Sequence, residues 1–424
     1  MSTERIPCKS PDCGNTILPA TAKANDGLCA PCIGKIRQAE RDEYVRQNRR
    51  TVNLYDGVTD PVEIIRIMLA HRKHDPFIEY QPSPISTEQA FAQLSAAQQQ
   101  QLFAIAGDAI QAGDKDLGEN IGKSLATLTE ANLDGMLHRW LDAGHLWPAV
   151  AFRNAGPSVR DRILGMIAAD TANMNHALSA LAWIGDSVVV ARFAEWEESP
   201  PPWRSQLYVG PNNYALVGGW EPTPSGRRNL FFHECFALEV VPNDAPATEV
   251  KLLEERTEKC PLCGDALVHL LDLPTRDSSL AFLPFAGASL PVLTCERCTC
   301  WNEFVFARIG LDGEAEWHPA NPASGQEHSL GFDFGHGPWQ GKRVALRKRP
   351  AIHAVDWCMQ LSASQIGGMP TWVQDAAYPK CPECDQTMMF LAQLDNGAFS
   401  GHEGTYYAFL CGDCRVTATT YQQT

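Results

Sequence analysis

The chain has 424 residues, 44% of them hydrophobic and 20% charged, with a formal net charge of −15. That composition excludes a disordered polymer and predicts a globular protein of two to four domains. The acidic balance argues against broad contact with a phosphate backbone, and suits a basic protein partner or simple solubility.

The first residues, Met1 to Cys8, contain no apolar stretch of the kind that opens a signal peptide. Apolar runs such as Ser187–Ala191 stop far short of the roughly 20 residues needed to cross a bilayer. A cytoplasmic, reducing compartment is therefore expected, where paired cysteines read as metal ligands rather than disulfides.

Residues 1–50 form the first predicted unit. Cys8/Cys13 and Cys29/Cys32 bracket 15 residues, and Gly34–Tyr44 follows as a charged, solvated helix. Its cations (Lys35, Arg37, Arg41, and beyond it Arg46, Arg49, Arg50) are diluted by acidic neighbours.

Residues 51–200 read as α-helical. Ser95 with Gln98 makes a capping box ahead of Leu102, Ile105, Ala106 and Ala109. Leu133, Met136, Leu137, Trp140 and Leu141 recur at the spacing of a buried helix face, and Val159, Ile163, Met166 and Ile167 resume it after Asn154–Pro157. Leu178, Leu181 and Ala182 precede Gly185-Asp186, a turn and an N-cap, and Val189, Phe193 and Trp196 stripe the next helix. Paired amphipathic helices suit stacked hairpins or an ordinary bundle. Ala180–Val189 resembles the inner part of one HEAT repeat, a solenoid unit that presents concave surfaces to partners. His138, His145 and His176 fall in these helices and are expected as packed or exposed side chains.

After Ser199-Pro200-Pro201-Pro202-Trp203 the helical period fades, and residues 201–424 read as β-rich. Leu230–Phe232, Phe304–Phe306 and Tyr406–Leu410 are the clearest strands. Two cysteine sets lie here: Cys260/Cys263 with Cys295/Cys298, 31 residues apart, and Cys381/Cys384 with Cys411/Cys414, 26 apart. They also repeat: Leu267, Leu270 and Leu273 follow the first C-P-x-C at the offsets where Met388, Leu391 and Leu394 follow the second. The fold class expected is thus multidomain α+β: an N-terminal zinc module, a helical middle that is HEAT-like or a bundle, and a β-rich half with two zinc-ribbon-like units.

Twelve of the fifteen cysteines therefore fall into six close pairs, one C-x4-C and five C-x-x-C. Two intervening residues let a tight turn aim both sulfurs at one ion, and a hairpin joins two such turns into a tetrahedral thiolate shell. Pro261 and Pro382 stiffen the turns. Gly14, Gly264 and Asp385 follow them with residue types that tolerate positive φ. Three structural zinc ions are the expectation, with iron–sulfur ligation as the alternative. Four thiolates leave no open position for catalysis. Of the remaining cysteines, Cys235 reads as a core residue in a strand, Cys300 could exchange into the second set, and Cys358 is unassigned.

The segment Ser362–Trp372, with its Gly367-Gly368-Met369-Pro370-Thr371-Trp372, together with Phe390–Asp395 and Gly404–Phe409, resembles the YwqG-like family of bacterial proteins. The resemblance covers about the last 75 residues. It implies a β-rich intracellular protein without an assigned activity, often in toxin–immunity settings. Much of that family lacks the four cysteines of the third set, so the resemblance places this chain in a zinc-bearing branch. No catalytic residue transfers.

No zinc-protease, P-loop or nucleophile-elbow motif is present in the sequence. Asp333 and His336, in glycine-rich Gly331–Gly337, read as a turn, and Lys342, Arg343, Arg347, Lys348 and Arg349 form one basic cluster. The leading expectation is a zinc-stabilised, protein-binding protein, in its specific form an immunity protein against a bacterial toxin. A nucleic-acid-associated zinc-ribbon protein and an uncharacterised enzyme are the alternatives.

Overall fold

The protein is described from a computed structural model covering residues 4–169, 173–242, 244–322, 342–352, 364–395 and 403–423. Its contacts divide the chain into two compact units, residues 1–94 and 95–424.

The first unit begins with β1 (Ile6–Pro7) and β2 (Thr16–Ile17), an antiparallel pair, then α1 (Pro19–Ala24) and α2 (Ala30–Asn48). The α2 helix is longer than its charged core predicts. It is solvated as expected: Val45 alone is buried along it. The extended stretches β3 (Arg50–Val52) and β4 (Ile78–Tyr80) pair in parallel around α3 (Pro61–Leu69), and α4 (Thr87–Ala92) closes the unit with its own capping box. Strands this short leave no alternation to read, which is why the sequence showed only the helices here.

The second unit opens with helices. They are α5 (Ala96–Ala112), α6 (Lys115–Leu128), α7 (Asp134–Asp142), α8 (Pro157–Ala169), α9 (Met174–Ile184) and α10 (Ser187–Glu198). Their ends follow local chemistry. The Ser95–Gln98 capping box is present in both halves, Gly113 and Gly185 end helices in the left-handed region, and Asp186 accepts from the Val188 and Val189 amides. The expected stripes are interior: Leu137, Trp140, Val159, Ile163, Leu178, Leu181, Val189 and Phe193 are fully buried. One further helix, α11 (Pro211–Val217), lies beyond the proline run; at seven residues it is too short to show a period.

Strands follow. β5 (Trp220–Thr223) and β6 (Gly226–Asn229) form a hairpin. Then come β7 (Phe232–Val241), β8 (Lys251–Lys259), β9 (Ala266–Leu273), β10 (Leu290–Thr294), the short α12 (Glu296–Trp301), β11 (Val305–Ile309), β12 (Ala315–Trp317), β13 (Arg343–Lys348), β14 (Gln365–Gly368), β15 (Met389–Asp395), β16 (Thr405–Cys411) and β17 (Val416–Gln422). Eight of them make one sheet in the order β12-β11-β17-β16-β15-β14-β7-β13, antiparallel throughout. β10-β9-β8 form a second, antiparallel sheet of three.

The large sheet is covered on both faces. Along β16, Tyr406, Ala408 and Leu410 join the core shared with the three-stranded sheet. Tyr407 and Phe409 point the other way, into a core completed by Ala149, Val150 and Trp183 of the helical part. Two-sided burial explains why Tyr406–Leu410 reads as an unbroken apolar run. It also removes any facial meaning from the repeated three-residue spacing, because neighbours in β9 and β15 are buried whichever face they take.

Candidate metal centres

Each of the three predicted cysteine sets converges. In Cys8/Cys13/Cys29/Cys32, in Cys260/Cys263/Cys295/Cys298 and in Cys381/Cys384/Cys411/Cys414, the four sulfurs lie within 4.8 Å of one another. Cross-pair separations include 3.6 Å for Cys13–Cys29, 3.6 Å for Cys260–Cys298, 3.4 Å for Cys263–Cys295 and 3.8 Å for Cys384–Cys411. A tetrahedron of sulfurs with zinc–sulfur bonds of about 2.3 Å has edges of about 3.8 Å. The cavity between the sulfurs thus fits one ion, and is too tight for a multi-iron cluster.

The second and third sets are built on the same turn. The Cys260 amide donates to Asp265 O at 2.7 Å and the Gly264 amide to Cys260 O at 2.9 Å. The Cys381 amide donates to Gln386 O at 2.8 Å and the Asp385 amide to Cys381 O at 2.9 Å. The residue after each second cysteine takes positive φ, +79° at Gly264 and +60° at Asp385, as the sequence predicted. From each turn a strand runs out, β9 or β15, and its antiparallel partner, β10 or β16, returns carrying the closing pair. The returning pairs differ. Cys295 is the N-cap of α12 with Cys298 inside it, whereas Cys411 ends β16 and Cys414 sits in the turn to β17.

The first set uses a different frame. Cys8 and Cys13 flank a loop closed by Cys8 N donating to Asn15 O, and Cys29 caps α2 with Cys32 in its first turn. The helix N-terminus favours negative sulfur there. The Cys29 amide donates to Cys8 Sγ at 3.2 Å and Asn15 Nδ2 to Cys29 Sγ at 3.7 Å.

The thiols respond to this crowding unequally. The Cys32 amide beside Cys29 lowers that thiol to about 6, and Cys32 is raised to about 12 by its contact with Cys29. Hydrogen bonds from Cys295 and Cys298 hold Cys260 low, while the contact with Cys260 pushes Cys295 far up. In the third set the Gln386 amide lowers Cys384, and burial raises Cys411. In each set one sulfur is favoured as thiolate at its neighbours' expense. A dication among the four would supply the charge that lets all of them ionise.

Residues that sequence reasoning did not find support the sets. Glu383, in the third turn, accepts from His318 Nε2 at 2.9 Å and pairs with Arg308 of β11, tying the turn to the sheet. Buried Thr294, Thr299 and Thr419 link their hydroxyls, with 2.6 Å between Thr294 and Thr419, and so join the second set's α12 to β17. Neither has a spacing signature, because the partners are far apart in sequence.

Cys235 is 1% exposed in β7 and burial raises its thiol to about 12, the core role expected of it. Cys300 does not join the second set. Cys358, Asp333 and His336 lie outside the described residues. The basic cluster is partly neutralised across the sheet, where Arg347 meets Glu239 at 2.5 Å and Lys348 meets Glu234 at 2.8 Å. A fourth potential ligand group, Glu254/His269/Asp272, borders a cavity of about 610 Å³. Lys251 already lies 3.1 Å from Glu254, and Arg256 3.4 Å from the His269 ring, so cations of the chain itself occupy its neighbourhood.

The Gly367-Gly368 segment has its own architecture. Both glycines have φ near +67°, and a Cβ would fall 2.1 Å from Glu234 O at the first and 2.5 Å from Cys235 Sγ at the second. The chain therefore leaves β14 in a turn that only glycine permits. Gln365 Nε2 donates to the carbonyls of Gly367 and Met369, and Gln393 Oε1 accepts from the Thr371 amide at 2.8 Å. Tyr407 OH donates to Thr371 O and accepts from the Val373 amide.

These features define an α+β protein with three tetracysteine clusters shaped for single metal ions. Over 427 residues the chain is 37% identical to the "Uncharacterized protein YpfL" of Salmonella typhimurium, covering 99% of this chain and all of that protein, and it belongs to that protein's family. No family model matches it, and no solved structure does. Among the described residues no helix is long and apolar enough to cross a membrane.

Proposed function

We propose that each tetracysteine cluster holds one structural zinc ion, and that the resulting rigid β frame serves as a protein-binding surface. The convergence of all twelve predicted sulfurs into three groups, each within 4.8 Å, carries the metal assignment. The residues that would hold the ions are Cys8, Cys13, Cys29 and Cys32; Cys260, Cys263, Cys295 and Cys298; and Cys381, Cys384, Cys411 and Cys414. Bound zinc would supply charge neutralisation and a cross-link, with every coordination position filled by sulfur. Elemental mass spectrometry on protein purified without added metal is expected to find three zinc ions per chain. Three iron ions would replace zinc in the assignment, and metal-free folded protein would end it.

The partner reading is supported by the net charge of −15 and by the resemblance of the Gly367–Trp372 segment to YwqG-like proteins. Its specific form is an immunity protein that binds a toxin. Affinity capture should recover a specific protein whose toxicity this chain suppresses. Salt-sensitive recovery of DNA or RNA in its place would favour the nucleic-acid alternative.

A further inference from the structure

Where the helices meet the large sheet, a cavity of about 400 Å³ opens within the second unit. Its size falls in the range of small-molecule sites, which are mostly apolar with a few placed polar groups. Three tryptophans line it from three separate segments: Trp147 ahead of the Ala149–Phe152 turn, Trp183 of α9, and Trp372 of the glycine-turned loop. Trp183 and Trp372 are each 7% exposed, whereas Trp147 is 39% exposed and forms the outer lip. Trp372 is held in place by stacking on Tyr407, with ring centroids 4.8 Å apart.

The charged groups on the wall are Glu119 and Lys123 of α6 and Asp375. Two carboxylates against one ammonium give the rim a net negative character. Aromatic faces add to it, because their quadrupoles attract cations. The Gly367–Gly368 turn, costly in sequence freedom, has the effect of delivering Thr371 and Trp372 to this wall.

We infer that this cavity binds a small organic ammonium ion with a flat apolar flank, the flank among Trp147, Trp183 and Trp372 and the cationic end toward Glu119 and Asp375. The assignment is independent of the metal clusters, whose ligands do not line the cavity.

The test uses the full-length, metal-loaded chain and two probes of the same size and opposite charge, phenethylammonium and phenylacetate, followed by calorimetry and ligand-observed NMR. Saturable, one-to-one binding of phenethylammonium is expected, with phenylacetate weaker by about tenfold or more. Ser179→Phe, which fills the cavity from α9, should abolish binding with an unchanged circular dichroism spectrum. Trp147→Ala, at the exposed lip, should weaken binding roughly 2- to 12-fold, the range of an aromatic contact with the apolar flank, and Asp375→Asn should narrow the preference between the probes. Absence of saturable phenethylammonium binding overturns the site. So does binding that survives both Ser179→Phe and Trp147→Ala, and a preference for phenylacetate overturns the cationic assignment.

Discussion

The second and third cysteine clusters begin from the same turn and end in different surroundings. Cys260, Cys295 and Cys298 are 3%, 0% and 3% exposed, under a core that includes Leu267, Leu293 and Val305. In the third cluster Cys381 is buried, Cys384 is exposed and the closing pair is half-buried. Local hydrogen bonds thus set the shape of a metal knuckle, and tertiary packing sets how well it is shielded. One cluster is part of a core; the other is a staple at the end of the β15–β16 hairpin.

The largest expected effect comes from breaking that difference at its buried side. Cys260→Ser should cost the β region its cooperative unfolding, since a structural zinc contributes an apparent ~10–16 kcal/mol, as much as a domain's whole net stability. Cys384→Ser should leave a folded protein that has lost one ion, and a chelator titrated into the parent should empty the third cluster before the second. Melts by circular dichroism, paired with zinc release to a chromogenic chelator, decide it; equal behaviour of the two variants would remove the distinction between core and staple.

A smaller effect sharpens the likeness. Gly264→Ala places a Cβ at φ +79° and should destabilise by about 1–2 kcal/mol. Asp385→Gly relieves the same position at φ +60° and should be neutral or stabilise by under ~1 kcal/mol. Denaturant melts showing both changes with the same sign would mean that the two turns are not equivalent.

The smallest effect concerns the clamp peculiar to the third turn. Glu383→Gln weakens its contacts to Arg308 and His318 without touching a ligand. Faster zinc release from the third cluster is expected, with the melting temperature nearly unchanged; release at the parental rate would make the clamp incidental.

The comparison also separates what the sequence could express from what it could not. Cysteine spacing, the turn residues Gly264 and Asp385 and the tyrosine-rich strand into Cys411 are local, and each appears in the fold where expected, whereas Gly14 of the first set does not take the positive φ its residue type allows. Caps were equally local: Ser95 and Asp186 do what their side chains allow within three residues. The short extended pieces at Arg50–Val52 and Ile78–Tyr80 carried no periodic signal. Long-range arrangements left no trace either. Glu383 meets Arg308 across 75 residues, and the Thr294–Thr419 contact spans 125. The tryptophan cavity is the same kind of case, its walls drawn from segments between Glu119 and Ala376 that have no common motif.

The position of β17 has a consequence for synthesis. The hairpins that assemble the second and third clusters close between neighbouring segments, so their ligands can meet soon after leaving the ribosome. The large sheet cannot follow that schedule. Among the described residues, β11 and β12 are joined to the rest of the large sheet only through β17, which is made about a hundred residues later. Until Val416–Gln422 emerges, the β11 edge that awaits it has open hydrogen-bonding groups, the condition in which strands find wrong partners. β17 is therefore a keystone strand, and a chain cut before it would keep both β-region cysteine sets while its sheet stayed in two parts.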